Sequence, residues 1–143
     1  MNELSPLAAE RQIIETLVRL TAPPARRHVV VCGDDGLCAA LVAGGVHASL
    51  VTDDGGRGGH AVGIVGGARS RDALAGSIAR IMPCLAEAAT VAVVIAGDCG
   101  GLGPQAGALL APFGFRIDAG VRCARALVLS AHRGAAAAMA IAA

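Results

Sequence analysis

Aromatic side chains are nearly absent from this chain, which carries two Phe and neither Tyr nor Trp. That argues against a single-strand nucleic-acid binder that stacks bases on aromatic platforms. Lysine is missing too: all 12 basic residues are Arg, against 11 acidic residues, for a net charge of +1. So even a balance leaves no electrostatic footprint for a phosphate backbone, and no nucleic-acid partner is expected. Long apolar runs are also lacking, because Gly, Asp or Arg interrupts each stretch well short of the ~20 residues a membrane span needs. Met1-Asn2-Glu3-Leu4-Ser5-Pro6 has no basic segment leading into an apolar one, so it does not read as a secretory leader. The five thiols (Cys32, Cys38, Cys84, Cys99 and Cys123) include no CxxC pair, and an odd count without a leader argues against a disulfide framework. These absences together imply a cytoplasmic protein with no membrane contact, no metal, and cysteines buried as small apolar groups.

What is abundant is small and hydrophobic. Hydrophobic residues make up 55% of the 143, much of it Ala and Val, which implies closely packed layers. The length suits one domain over residues 1–143, burying roughly 70% of the surface its unfolded chain exposes. Residues 134–143 form an Ala-rich tail, helical or frayed. So few charges also imply apolar surface that needs covering, hence oligomerisation.

The pattern alternates helix and strand. Leu7 to Leu20 has apolar residues at helical spacing, and Pro23 and Pro24 stop it. Val-rich His28 to Cys32 reads as a strand buried on both faces. Gly33-Asp34-Asp35-Gly36 is a turn, Leu37 to Ala43 a helix closed by Gly44-Gly45, and Val46 to Thr52 a second strand. A Gly-rich loop at 55–59 leads to a third strand, His60 to Val65. A helix capped by Ser70 or Asp72 is predicted to run to about Leu85 with Pro83 near its end. Val91 to Ala96 is a strand, Pro104 to Leu110 a helix, and Phe115–Asp118 and Ala124–Ser130 form a closing antiparallel pair. The fold class is therefore α/β: a three-layer, doubly wound, mostly parallel sheet with a C-terminal antiparallel strand pair.

The strongest chemical signal is strand, Gly turn, helix start, then a second strand ending in acid at Asp53-Asp54. Glycine lets backbone approach a ligand closely, the helix start offers unpaired amides, and a strand-end carboxylate can accept both hydroxyls of a ribose. The dinucleotide fingerprint Gly-x-Gly-x-x-Gly is not met, since Asp35 stands at its second Gly. Two acids would repel a pyrophosphate, so a ligand with a positive or zwitterionic end suits the turn better than NAD or FAD. Candidate cofactor-binding residues are Gly33, Asp34, Gly36, Asp53, Asp54 and Asp98. Asp34 and Asp35 read equally well as turn formers capping the next helix. Asp53 and Asp54 also fit a plain turn, and Asp98 a Gly-rich connection. Among four histidines, His60, beside the Gly loop, is the one candidate acid/base, weighed against an ordinary loop residue.

This layout resembles class I S-adenosylmethionine-dependent methyltransferases. Val29 to Leu37 resembles their glycine-rich first motif, and Asp53 or Asp54 the acid that holds the ribose. Val91 to Gly97 resembles their fifth strand, Leu109 to Ile117 their last helix running into the sixth strand, and the closing pair their reversed seventh strand. The resemblance implies S-adenosylmethionine as a cofactor. Three departures weigh equally for no cofactor at all. The first motif is degenerate. Between Asp54 and Ser70 a full-size member fits a strand, a helix and a strand, where this chain offers only His60 to Val65. Gly66-Gly67-Ala68-Arg69 stands where the substrate-side motif of an acid or Asn followed by Pro is expected. The sequence leans to a degenerate methyltransferase-like domain acting as a partner-binding, accessory or scaffold subunit, in a homodimer or a larger enzyme complex. Its alternatives are an active methyltransferase on a small molecule and a nucleotide-binding regulatory module.

Overall fold

A computed structural model of the chain describes residues 6–21, 28–51, 59–99, 101–123 and 125–134. The predicted helix stop at Pro23-Pro24, the acids Asp53 and Asp54, most of the Gly-rich loop and the Ala-rich tail beyond Gly134 lie outside these residues. The Val-rich run forms β1 (Val29–Cys32), all four residues buried. Around it the elements follow in the order α1 (Pro6–Thr21), β1, α2 (Asp35–Ala43), β2 (Ala48–Leu50), β3 (His60–Val65), α3 (Arg71–Ile81), β4 (Leu85–Ala96), α4 (Leu102–Leu110), β5 (Arg116–Cys123) and β6 (Ala126–Arg133).

The strands form one sheet in the order β2-β1-β3-β4-β6-β5. β1 pairs in parallel with β2 on one side and β3 on the other, and β3 pairs in parallel with β4. β6 then runs antiparallel between β4 and β5. Alternation along each strand sends side chains to two cores. Val29, Val31, Val62, Ile64 and Ala92 pack under α1 and α2 through Leu17, Leu37 and Leu41. Val30, Cys32, Val65, Val91 and Val93 face α3 and α4 through Leu74, Ile78, Ile81, Ala106 and Leu110. Helices thus cover both faces, and the three-layer, doubly wound architecture with a closing antiparallel pair is the observed one. Cys32, Cys38 and Cys84 are buried in these cores.

Several boundaries differ from the sequence reading. The helix expected to reach Leu85 ends at Ile81, and Pro83 stands in a 3-10 turn at Met82–Cys84. The next strand starts at Leu85 rather than Val91. Its first half, Leu85-Ala86-Glu87-Ala88-Ala89, favours helix by composition. Pairing with His60 on one side and Arg133 on the other overrides that preference. β5 continues past Asp118 to Cys123 because β6 supplies a ladder along its whole length, with an irregularity between Ile117 and Ala119. The second strand is shorter than expected, Ala48–Leu50, and it forms an edge of the sheet.

Candidate functional site

Because β2 and β3 leave β1 on opposite sides, the connections after β1 and β3 diverge to opposite faces. The carboxyl ends of these strands are where such sheets bind ligands. The ladder ends there with Gly66 N–H donating to the Cys32 carbonyl at 3.0 Å, and two glycines follow back to back. Gly33 has φ +93° and a Cβ on it would lie 2.2 Å from the Gly66 carbonyl oxygen. Gly67 has φ +74° and its Cβ would lie 2.3 Å from the Gly33 carbonyl oxygen. Both positions need the left-handed region and the missing side chain together, so the two loops meet backbone to backbone.

Asp34 follows in extended conformation as the N-cap of α2, its carboxylate accepting from Leu37 N–H at 3.0 Å. Of the two readings of this acid, capping is the one the structure has made. Its Cβ still packs on Gly66, and the residue borders an open crevice of about 330 Å³. Asp35 is exposed in the first turn of α2, where a carboxylate suits the helix dipole. Burial first, and then the Asp35 charge, push the Cys38 thiol up from its ordinary value. Gly36 lies within the first turn of α2, and a Cβ there would make only an ordinary 3.5 Å contact with Asp34.

The crevice is also bordered by Gly67, Arg69, Val94 and Arg125, with Ile13 of α1 over it. Asp98, in a 3-10 turn after β4, reaches across to an ion pair with Arg69. That hydrogen bond and the Arg69 charge hold the Asp98 carboxyl below its ordinary range. Asp98 is therefore engaged in joining the β3 and β4 loops. His60 opens β3 and so stands at the opposite, amino-terminal end of the sheet, a strand length of roughly 17 Å from the crevice. Its Nδ1 is 3.1 Å from the His28 carbonyl oxygen and its ring lies 5.8 Å from the His28 ring. The candidate acid/base His60 is thus placed away from this crevice. Asp53 and Asp54 follow β2 outside the described residues.

Gly33 and Asp34 are thus brought together with Gly67, Arg69, Asp98 and Arg125. Sequence reasoning passed over Gly67, Arg69 and Arg125 as site residues. A Gly-Gly pair directly after a buried strand was the available signal for the first. Nothing in the sequence marks Arg125, whose place depends on how β6 is inserted.

No protein-family model matches the sequence, and no curated protein does. Solved structures do match, and the architecture is the class I S-adenosylmethionine-dependent methyltransferase-like fold. The pyocyanin biosynthetic protein PhzM aligns with a TM-score of 0.60 at 14% identity, over 90% of this chain and 56% of that one. The chain therefore spans little more than half the length of that protein. The 1,6-didemethyltoxoflavin-N1-methyltransferase of Burkholderia thailandensis, solved with S-adenosylhomocysteine bound, aligns with a TM-score of 0.64 at 15% identity, over 88% and 78%. The N-methyltransferase NodS of Bradyrhizobium japonicum, also solved with S-adenosylhomocysteine, gives 0.58 at 13%, over 90% and 88%. At these identities the likeness is one of fold.

The crevice has three features that suit a small molecule bearing a cationic group. A carboxylate, Asp34, stands at the crevice for a cationic group. Gly67 borders it with backbone alone. The volume lies at the lower end of the ~300–1,000 Å³ of small-molecule sites.

Proposed function

We propose that this chain is a small S-adenosylmethionine-dependent methyltransferase acting on a small molecule. The observation that carries the reading is the Gly33–Gly67 contact beside an open crevice. The contact leaves backbone rather than side chains at the carboxyl ends of β1 and β3, where sheets of this kind bind ligands. When bound, S-adenosylmethionine supplies a methyl group on a sulfonium, ready for transfer to a nucleophile. The protein's part is to hold two reactants in line and exclude water, which can itself supply a large share of the rate. Asp34 is suited to face the cationic end of the cofactor. Val94 and Ile13 offer an apolar wall to the acceptor, and the Arg69–Asp98 pair fixes the far rim. Asp53 or Asp54 would take the ribose, as the resemblance implies.

Calorimetric titration with S-adenosylmethionine and S-adenosylhomocysteine tests this reading. Micromolar binding is expected, lost in Asp53→Ala or Asp54→Ala. Asp34→Asn keeps a good helix cap while removing the charge, so it should weaken binding of S-adenosylmethionine with little change in stability. No heat at millimolar ligand would sink the reading.

The second reading, a non-catalytic partner-binding domain, is favoured by a different observation. β2 is an edge strand of three residues with Leu50 exposed, where a protein partner or a second copy could pair.

A further inference from the structure

Arg125 stands in the turn between β5 and β6 with φ 66°, the only non-glycine among the described residues in the left-handed region. A long side chain in that conformation is uncommon and gathers at functional sites. Gly97 N–H donates to the Arg125 carbonyl at 2.6 Å, which fastens the turn to the carboxyl end of β4. The fastened turn sets Arg125 on the wall of the crevice already described and on that of a second cleft of about 280 Å³. The two clefts share Ala96, Arg125 and Ala126, and Arg122 borders the second.

The charged residues bordering the two clefts are Arg69, Arg122, Arg125 and Asp34, and Asp98 stands beside them on Arg69. Asp98 is paired with Arg69, and Asp34 caps α2. Arg125 has contacts of its own in the fold. A guanidinium nonetheless carries five N–H donors in a planar fork that matches a carboxylate or phosphate two bonds at a time. The other lining residues are uncharged Gly, Ala, Val, Leu, Ile and Cys. An apolar trough with a cationic end is shaped for a small organic anion.

We infer that the acceptor carries a carboxylate or phosphate, bound at the β5–β6 turn by Arg125 with Arg122 beside it. Its apolar body then lies along Val94 and Ala96 towards Asp34. The inference rests on the methyl-transfer reading for the word acceptor, but the anion site stands on its own geometry.

The test uses the whole chain, titrated with benzoate, phenyl phosphate and uncharged benzamide, each with and without S-adenosylhomocysteine. The readouts are calorimetry and amide NMR shifts. Benzoate and phenyl phosphate are expected to bind about tenfold more tightly than benzamide and to move the amides of Gly97 and Ala126. Arg125→Gln should remove that advantage, Arg125→Lys should keep part of it, and Arg122→Gln should lose part. Equal affinity for benzoate and benzamide, or shifts confined to other surfaces, overturns the inference, as does wild-type benzoate binding by a folded Arg125→Gln. Should that variant fail to fold, the charge contrast in the wild type and the Arg122→Gln result decide. Benzoate bound at Arg125 without any binding of S-adenosylhomocysteine would sink the methyl-transfer reading alone. The reverse pattern would sink this inference alone.

Discussion

At the scale of single residues, the sharpest dependence is on two glycines. Gly67→Ala would place a Cβ 2.3 Å from the Gly33 carbonyl oxygen in a left-handed backbone. A loss on the order of 3 kcal/mol is expected by urea denaturation, from the conformational and steric terms together. Asp34→Ala should cost about 1 kcal/mol through the lost cap, whereas Asp34→Asn should cost little. The Arg69–Asp98 pair gives a pH signature. Its carboxyl titrates below the ordinary aspartate range because of the Arg69 hydrogen bond and charge. The pair is therefore complete above about pH 4 and is lost as pH falls through the lowered value. Carbon-detected NMR should find the Asp98 midpoint below normal, with Arg69→Gln returning it. Both side chains are about two-thirds exposed, so the pair adds little to stability. Gly33 and Asp34 were legible in the sequence because a glycine turn between strand and helix has a local cause. Arg69 and Arg125 were not, because their positions at the crevice come from loops distant in the chain.

At the scale of elements, Arg133 at the end of β6 does the work of a clasp. Its guanidinium donates to the carbonyls of Glu87 at 2.9 Å, Phe113 at 3.1 Å and Ala86 at 2.7 Å. It also lies 4.5 Å from the centre of the Phe115 ring. One side chain thus ties the first half of β4 to the turn before β5, and it helps explain why a helix-favouring segment adopts a strand. Arg133→Met should cost about 2–3 kcal/mol in chemical denaturation. Amide exchange should rise first in Leu85 to Ala89. The strand at Val91–Ala96 was legible because its composition is β-branched and apolar. Its extension back to Leu85 was hidden because a partner strand and a single arginine decide it, neither of which leaves a local mark. His60 was singled out by nearness in sequence to Asp53 and Asp54, yet it opens β3, away from the crevice. In a parallel strand the first and last residues face opposite ends of the sheet.

At the scale of the whole molecule, the alternation of helix and strand was enough to reach the architecture, because each connection between parallel strands needs a crossover. The strand order was not written locally, since β6 enters between β4 and β5 by long-range pairing. No helix among the described residues is long and apolar enough to cross a membrane. The edge strand β2 has no further strand beside it among the described residues, and Val42 on α2 is exposed. We expect that edge to be covered by a second copy. Size exclusion with light scattering should therefore find a dimer or larger species, and a monomer over a wide concentration range would count against it.

The insertion of β6 also sets an order in time. β4 carries a ladder from Ala89 to Ala96 whose partner leaves the ribosome only after α4 and β5 have been made. Until then a long, mostly apolar strand edge stands unpaired, the kind of template that recruits other chains. Slowing translation between Gly101 and Gly114 should therefore raise the share of nascent protein held by chaperones or lost to aggregates, although the finished fold is the same.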